Sequence, residues 1–460
     1  MIMKKLTLIT ILGLLSLLSF AGNFSIEITI KGLPSSPLLL TDFYGDKNRI
    51  LDTVITDMKG KAVFSILENQ HPGMYKIVCG DDKYIDFIFN KENIVFESAL
   101  PDIQAALKVV QSTENQIYFS YLRSYKSIKD KITALQQLPN VYQPTDAFSK
   151  QFTQEYYNRI DEITSLQTKI LNENPNSYAY KLIKVKTETF PELGGSAFIQ
   201  SNYVRSNWFK NTDFNDTMLF YSNAFTTKVI GYLQLFASKY YNQDQQLQVF
   251  KTAIDSILIK TKANRKTYNF IVDFMINGFE EMGNPKLVEF IASRYSDEQS
   301  CEHDGAKTTL ERKILSYTKL KIGTDAPAFE VLTEKGTKLT LNDYANRTVM
   351  LVFWATWCPH CQQTLPEIKK IFDTRIDKSF EFITIALDTN KVDWKNYIKA
   401  NNFTTSQNVC DGKSWDGKIA TDYQTYSTPS IFIIQNKKII GKPNDLESLK
   451  DILKEVKIIQ

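Results

Sequence analysis

The chain has 460 residues, with 43% hydrophobic and 23% charged residues and a formal net charge of +4. This length is too great for one ordinary core, so two or three domains are expected, and the composition excludes global disorder. Near-neutral charge without a clustered basic face argues against a nucleic-acid partner, and five cysteines are too few for a disulfide-stapled scaffold.

The first residues read as an address. Lys4 and Lys5 precede an uncharged run from Leu6 to Phe20, and Ser19 and Ala21 place small residues where a signal peptidase reads them. A signal peptide over 1–21, cut between Ala21 and Gly22, is expected, which puts the mature chain in the periplasm with a formal charge of +2 once Lys4 and Lys5 are gone. An uncleaved N-terminal anchor is the alternative, although the run is short for a span of roughly 20 apolar residues. No cysteine precedes Cys79, so lipid attachment beside the signal is not expected, and no second membrane element is expected either.

Residues 22–100 read as an all-β, sandwich-like domain. Phe24, Ile26, Ile28 and Ile30 alternate with polar residues, the period of a half-buried strand. Short runs at 38–40, 62–66, 75–78, 84–89 and 94–96 follow, separated by turn signals such as Pro72-Gly73. Their spacing suggests a small antiparallel sandwich. Cys79 ends a strand and reads as a buried filler.

Residues 101–318 read as an α-helical middle domain. Apolar residues at three- and four-residue steps mark 148–172 and 217–261, and Asn174-Pro175 and Phe190-Pro191 are expected breaks. No repeat near 34 residues marks a solenoid. The tyrosines could line a peptide groove, but the plainer reading places the rings in the core and their hydroxyls at the surface. Cys301-Glu302-His303-Asp304 lacks a second liganding pair, so it reads as a loop and no metal is expected.

Residues 322–460 alternate strand and helix, with strands at 349–354, 380–387, 430–434 and 438–440 and helices at 359–374, 392–401 and 446–456. An α/β domain with a mixed sheet follows. Cys358 and Cys361, in Trp357-Cys358-Pro359-His360-Cys361, come directly after the first of these strands. A strand feeding a helix places Cys358 at the helix N-terminus, where unpaired N–H groups and the positive end of the dipole favour a thiolate. Pro359 suits the first helical turn, and Cys361 falls one turn on, within reach for a disulfide. Thiol–disulfide exchange needs this asymmetry: Cys358 attacks and the more shielded Cys361 resolves. His360 either supports the thiolate or simply lies exposed on the helix. A zinc site is disfavoured because no second C-x-x-C exists, and no cofactor is expected beyond the redox-active Cys358–Cys361 disulfide.

Phe353-Trp354-Ala355-Thr356-Trp357-Cys358-Pro359-His360-Cys361 resembles the active-site signature of the thioredoxin superfamily. Pro366 matches that family's helix-kinking proline and Thr428-Pro429 its cis-proline. Ile322-Gly323 and Ala326-Pro327-Ala328-Phe329, with an inserted strand and helix over 380–401, are similar to the TlpA/ResA-like branch of exported thiol reductases. The resemblance implies a thioredoxin fold and protein or peptide thiol/disulfide substrates that meet Trp357, Pro359, Thr428 and Pro429. It also implies an upstream membrane electron donor. Val352 stands where thioredoxin has a buried Asp, so proton handling differs. Asp388, near the place where the related reductases carry an acid, is a candidate general base, with a strand-end cap the plainer reading; Glu367 is an alternative acid, while Cys410 is read as structural or idle. The branch implies a reductase, whereas the Pro-His dipeptide also suits an oxidase or isomerase. A binding or scaffold protein that uses the fold as a platform is the reading from another class. A peroxidase lacks the Thr and Arg pattern it would need around the cysteine.

Overall fold

The computed structural model describes residues 23–80, 82–298, 308–403 and 407–460. The expected signal segment, with its Ala21–Gly22 junction, and residues 301–304 lie outside the described residues. Backbone contacts divide the chain into two compact units. One reaches Val249 and takes in Asp255–Thr267; the other takes Phe250–Ile254 and Tyr268–Gln460.

The first unit opens with eight strands: β1 (Asn23–Lys31), β2 (Pro37–Tyr44), β3 (Lys47–Ile55), β4 (Lys61–Leu67), β5 (Gly73–Val78), β6 (Tyr84–Phe89), β7 (Ile94–Ala99) and β8 (Lys108–Gln111). They form two four-stranded sheets, ordered β4-β1-β7-β8 and β3-β2-β5-β6. Alternation produces the core. Ala62, Phe64 and Ile66 of β4 are buried between exposed neighbours, and they join Ile26 and Ile28 of β1, Leu38 of β2, Ile77 of β5 and Phe87 of β6 in one cluster. Cys79 belongs to that cluster, as expected of a filler, and burial raises its pKa to about 11.

Two features depart from the expected antiparallel sandwich. β1 pairs with β7 in parallel, and β8 lies beyond residue 100, in the stretch expected to be helical. β3 carried no readable alternation because most of its residues are exposed.

Helices follow: α1 (Thr113–Leu135), α2 (Ala147–Glu173), α3 (Tyr178–Lys186), α4 (Ala197–Asn207), α5 (Ala224–Gln234), α6 (Gln243–Thr261), α7 (Arg265–Glu281), α8 (Pro285–Glu298) and α9 (Thr309–Lys319). α2 stops at the expected Asn174-Pro175 break. The periodic stretch 217–261 is three pieces rather than one: a 3₁₀ turn at Thr217–Tyr221, then α5 and α6. Some of the tyrosine rings, such as those of Tyr118, Tyr121, Tyr156 and Tyr178, are in the core, whereas Tyr157, Tyr203 and Tyr240 are exposed, and the buried hydroxyls differ from expectation. Tyr156 donates to the Pro191 carbonyl at 2.7 Å and Tyr121 accepts from Gln167 at 3.0 Å, both buried. A buried hydroxyl without a partner would cost about 1–3 kcal/mol, which these bonds avoid.

The second unit adds to α7–α9 the strands β9 (Glu330–Leu332), β10 (Lys338–Thr340), β11 (Thr348–Trp354), β12 (Glu381–Ala386), β13 (Gln407–Cys410), β14 (Ser430–Gln435) and β15 (Lys438–Gly441). Its remaining helices are α10 (Pro359–Asp373), α11 (Lys391–Ala400), α12 (Lys418–Asp422) and α13 (Leu446–Glu455). Five strands make a mixed sheet in the order β13-β12-β11-β14-β15, while β9 and β10 pair separately. β11 is buried at every residue, as its unbroken apolar run demands of a central strand covered on both faces. The backbone contacts thus group α7–α9 with this sheet, whereas element type alone would place them with the other helices.

Candidate active site

The registers on either side of β11 assemble the site. β12 runs parallel to β11 with Trp354 opposite Ala386, so the chain two residues beyond each strand meets again: Thr356 faces Asp388. β14 runs antiparallel with Phe353 opposite Ser430, so the segment just before β14 arrives beside the segment just after β11. That segment holds Thr428-Pro429, and its peptide bond is cis.

Cys358 is the N-cap of α10, with Pro359 in the first turn and Pro366 inside the helix. The usual cap is a Ser, Thr, Asp or Asn oxygen; here the Cys358 sulfur accepts from the Cys361 N–H at 3.1 Å. The Cys358 thiol also lies 3.5 Å from the Thr428 carbonyl. Both cysteines are free thiols. Burial pushes the Cys358 pKa up. Hydrogen bonds from the Cys361 thiol, the Thr428 side chain and the backbone N–H groups of Cys361 and His360 outweigh it, and the net direction is down from the ordinary 9.0. Cys361 moves the other way, raised by burial and by its hydrogen bond to Cys358. The pair is therefore electrostatically unequal, one sulfur readied as an anion and the other held as a thiol.

Cys358 is less open than an attacking thiol is usually drawn: 6% of its surface is exposed, against 0% for Cys361. The reason is the company it keeps, with the Thr428-Pro429 segment on one side and its own helix turn on the other. Trp357 beside it is 53% exposed, and its ring lies 6.3 Å from that of Trp415. Pro359 and the His360 side chain are exposed, so the hydrogen bond His360 gives the sulfur comes from its backbone.

Asp388 is 2% exposed. Its two oxygens accept from the Thr356 N–H at 3.2 and 3.1 Å, and one of them also accepts from the Thr356 hydroxyl. It thus straps the turn that carries Cys358. Glu367, in contrast, is exposed on α10 and paired with Lys370 at 2.7 Å. Cys410 is buried with its sulfur 3.2 Å from the Asp388 carbonyl, and burial raises its pKa. Val352, where thioredoxin carries an acid, is fully buried among apolar neighbours. Among the described residues, no group of three or more His, Cys, Asp or Glu could hold a metal ion.

Sequence reasoning missed a set of residues far from the cysteines in the chain. Glu280 of α7 accepts hydrogen bonds from Tyr317 of α9 at 2.7 Å and from Tyr426 at 2.9 Å. Arg312 of α9 donates to the Trp415 carbonyl at 2.6 Å. Neither contact leaves a local signal, since each joins residues more than 35 apart in the chain.

Residues 322–442 match the model of the AhpC/TSA family. The thiol-disulfide oxidoreductase ResA of Bacillus thuringiensis is 28% identical over 142 residues, which cover 30% of this chain and 80% of that protein. The sporulation thiol-disulfide oxidoreductase A of Bacillus subtilis is 28% identical over 134 residues, covering 28% of this chain and 78% of that protein. Among solved structures, a thiol-disulfide oxidoreductase from Bacteroides fragilis aligns at 27% identity with a TM-score of 0.26, over 29% of this chain and 99% of that one. A thioredoxin-like C-terminal domain of the AhpC/TSA family, related to the ResA thiol–disulfide oxidoreductases, is therefore carried behind two β-sheets and a helical middle.

Proposed function

We propose that the protein is a periplasmic protein-disulfide reductase working through Cys358 and Cys361. The observation that carries the exchange chemistry is the Cys358 sulfur capping its own helix, 3.1 Å from the Cys361 N–H. In the first step the Cys358 thiolate attacks one sulfur of a substrate disulfide. The substrate S–S bond breaks, a mixed disulfide forms, and the released substrate thiolate takes up a proton. In the second, Cys361 gives its proton to Asp388 and attacks the Cys358 sulfur. The second substrate thiolate leaves, and the enzyme keeps the disulfide. Two electrons have passed to the substrate, and a membrane electron donor returns them. Trp357, Pro359, Thr428 and Pro429 form the rim that the substrate backbone meets. Export through residues 1–21 supplies the compartment.

One observation favours the opposite direction. A stabilised Cys358 thiolate makes the reduced form the more stable one, which suits an oxidase or isomerase. The reductase reading rests on the resemblance of Ile322-Gly323, Ala326-Pro327-Ala328-Phe329 and the inserted strand and helix to the TlpA/ResA-like branch of exported thiol reductases. The redox potential of the pair decides: a value near about −270 mV supports a reductase and one near about −120 mV an oxidant. Insulin reduction that persists in Cys358→Ser would sink the catalytic assignment altogether.

A further inference from the structure

The residues around Glu280 form a half-buried polar cluster that the exchange chemistry does not use. Glu280 is a carboxylate with a side chain 23% exposed, and Lys313, 8% exposed, pairs with it at 2.9 Å. Its other oxygen accepts hydrogen bonds from the phenols of both Tyr317 and Tyr426. Lys313 also donates to Asn277 of α7, and its ammonium sits 5.2 Å from the centre of the Tyr426 ring. Every group is therefore matched, which is the condition for keeping ions in a poorly solvated place.

Tyr426 is the member with a functional neighbour. It stands two residues before Thr428, whose carbonyl is 3.5 Å from the Cys358 sulfur. The segment between the two strands of hydrogen bonding is short: Thr425 is buried at one end, and Ser430 opens β14 at the other. α9 holds a second part of the same rim, because Arg312 binds the Trp415 carbonyl at 2.6 Å and the Asp416 carboxylate at 3.2 Å. Trp415 faces Trp357. Lys442 fastens α9 a third time, donating to the Ser316 carbonyl at 2.9 Å and hydroxyl at 2.8 Å.

We propose that Glu280, through Tyr426, is a positioning residue that sets the Thr428-Pro429 segment for docking of an extended protein substrate, so that α7 and α9 are working parts of the exchange site. This rests on the oxidoreductase reading above. A small disulfide needs only the sulfur, whereas a polypeptide must also lay its backbone along that segment. Misplacing a docking element by the order of 1 Å costs up to about 100-fold. Glu280→Gln keeps the shape but exchanges a carboxylate for an amide that cannot accept two phenols and an ammonium equally well.

The test compares insulin and 5,5′-dithiobis(2-nitrobenzoate) as substrates of the full chain, with rates expressed per titrated Cys358. Glu280→Gln is expected to raise KM for insulin roughly tenfold, with a smaller change in kcat, and to affect the small disulfide far less. Tyr426→Phe is expected to reproduce the effect, and adding it to Glu280→Gln to contribute little more. Tyr426→Phe removes one oxygen atom only and serves if Glu280→Gln does not fold. Equal losses on both substrates, or unchanged insulin KM in Tyr426→Phe, overturn the proposal while leaving the oxidoreductase reading intact. Wild-type protein that reacts with neither substrate overturns both.

Discussion

Replacing Asp388 separates the strap it forms on Thr356 from the role of base proposed for it. Asp388→Ala removes the acceptor of the Thr356 N–H, which lies 3.1 and 3.2 Å from the two carboxylate oxygens, and of the Thr356 hydroxyl. Hydrogen bonds to a charged group contribute about 1.5–3 kcal/mol each. Thr356 is half-buried, so water can recover part of the hydroxyl's loss, and about 3 kcal/mol is expected overall. Asp388→Asn retains an oxygen for the N–H and offers an amide proton to the hydroxyl, so its stability stays within about 1.5 kcal/mol of wild type. What the amide cannot do is receive the Cys361 proton. Loss of a general base slows a step by roughly 10²–10⁴-fold. Urea unfolding measures the first quantity. Quenched-flow decay of the mixed disulfide with a peptide substrate at pH 7 measures the second. An Asp388→Ala protein as stable as wild type refutes the strap, and Asp388→Asn resolving at the wild-type rate refutes the base.

Five other outcomes are expected. Cys361→Ser traps mixed disulfides through Cys358, visible as covalent adducts by mass spectrometry. The pH profile of Cys358 carboxymethylation has its midpoint below 9.0, because its folded pKa is lowered. The sign for stability follows: this group's contribution to the reduced protein is present above the unfolded value of 9.0 and lost as pH falls through the folded pKa, which urea midpoints across pH will register. Leu351→Ala, at a fully buried site on β11, destabilises by about 2–5 kcal/mol in the same unfolding assay. Cys79 stays unmodified by iodoacetamide in the native protein at pH 7, since burial holds its pKa near 11, and it reacts only after denaturation.

Much of the site was written in local sequence. The apolar run ending at Trp354, the cysteines three apart and the proline between them dictate strand, cap and helix without reference to anything distant. Both expected ends of α10 and the alternation of β4 belong to the same class of signal. Other features depended on partners. The parallel β1–β7 pair cannot be read from either strand, because alternation fixes a face and not a neighbour. β13 is only four residues long, and it becomes a strand by pairing with β12. The depth of Cys358 depends on a segment 70 residues away. Glu280 carries no signal in its own stretch of sequence, because its phenol partners lie 37 and 146 residues further along the chain.

The hairpin between β14 and β15 turns through Asn436 and Lys437, both at positive φ, at the opposite extremity of the strand from Thr428. It is tied down by Ala326, whose N–H reaches the Lys437 carbonyl at 2.8 Å, and by the Lys438–Asp325 pair at 2.9 Å. Six residues of β14 thus insulate the sulfur chemistry from this corner. Evolution or an engineer can graft a loop, a dye or a tether there and leave the thiols undisturbed.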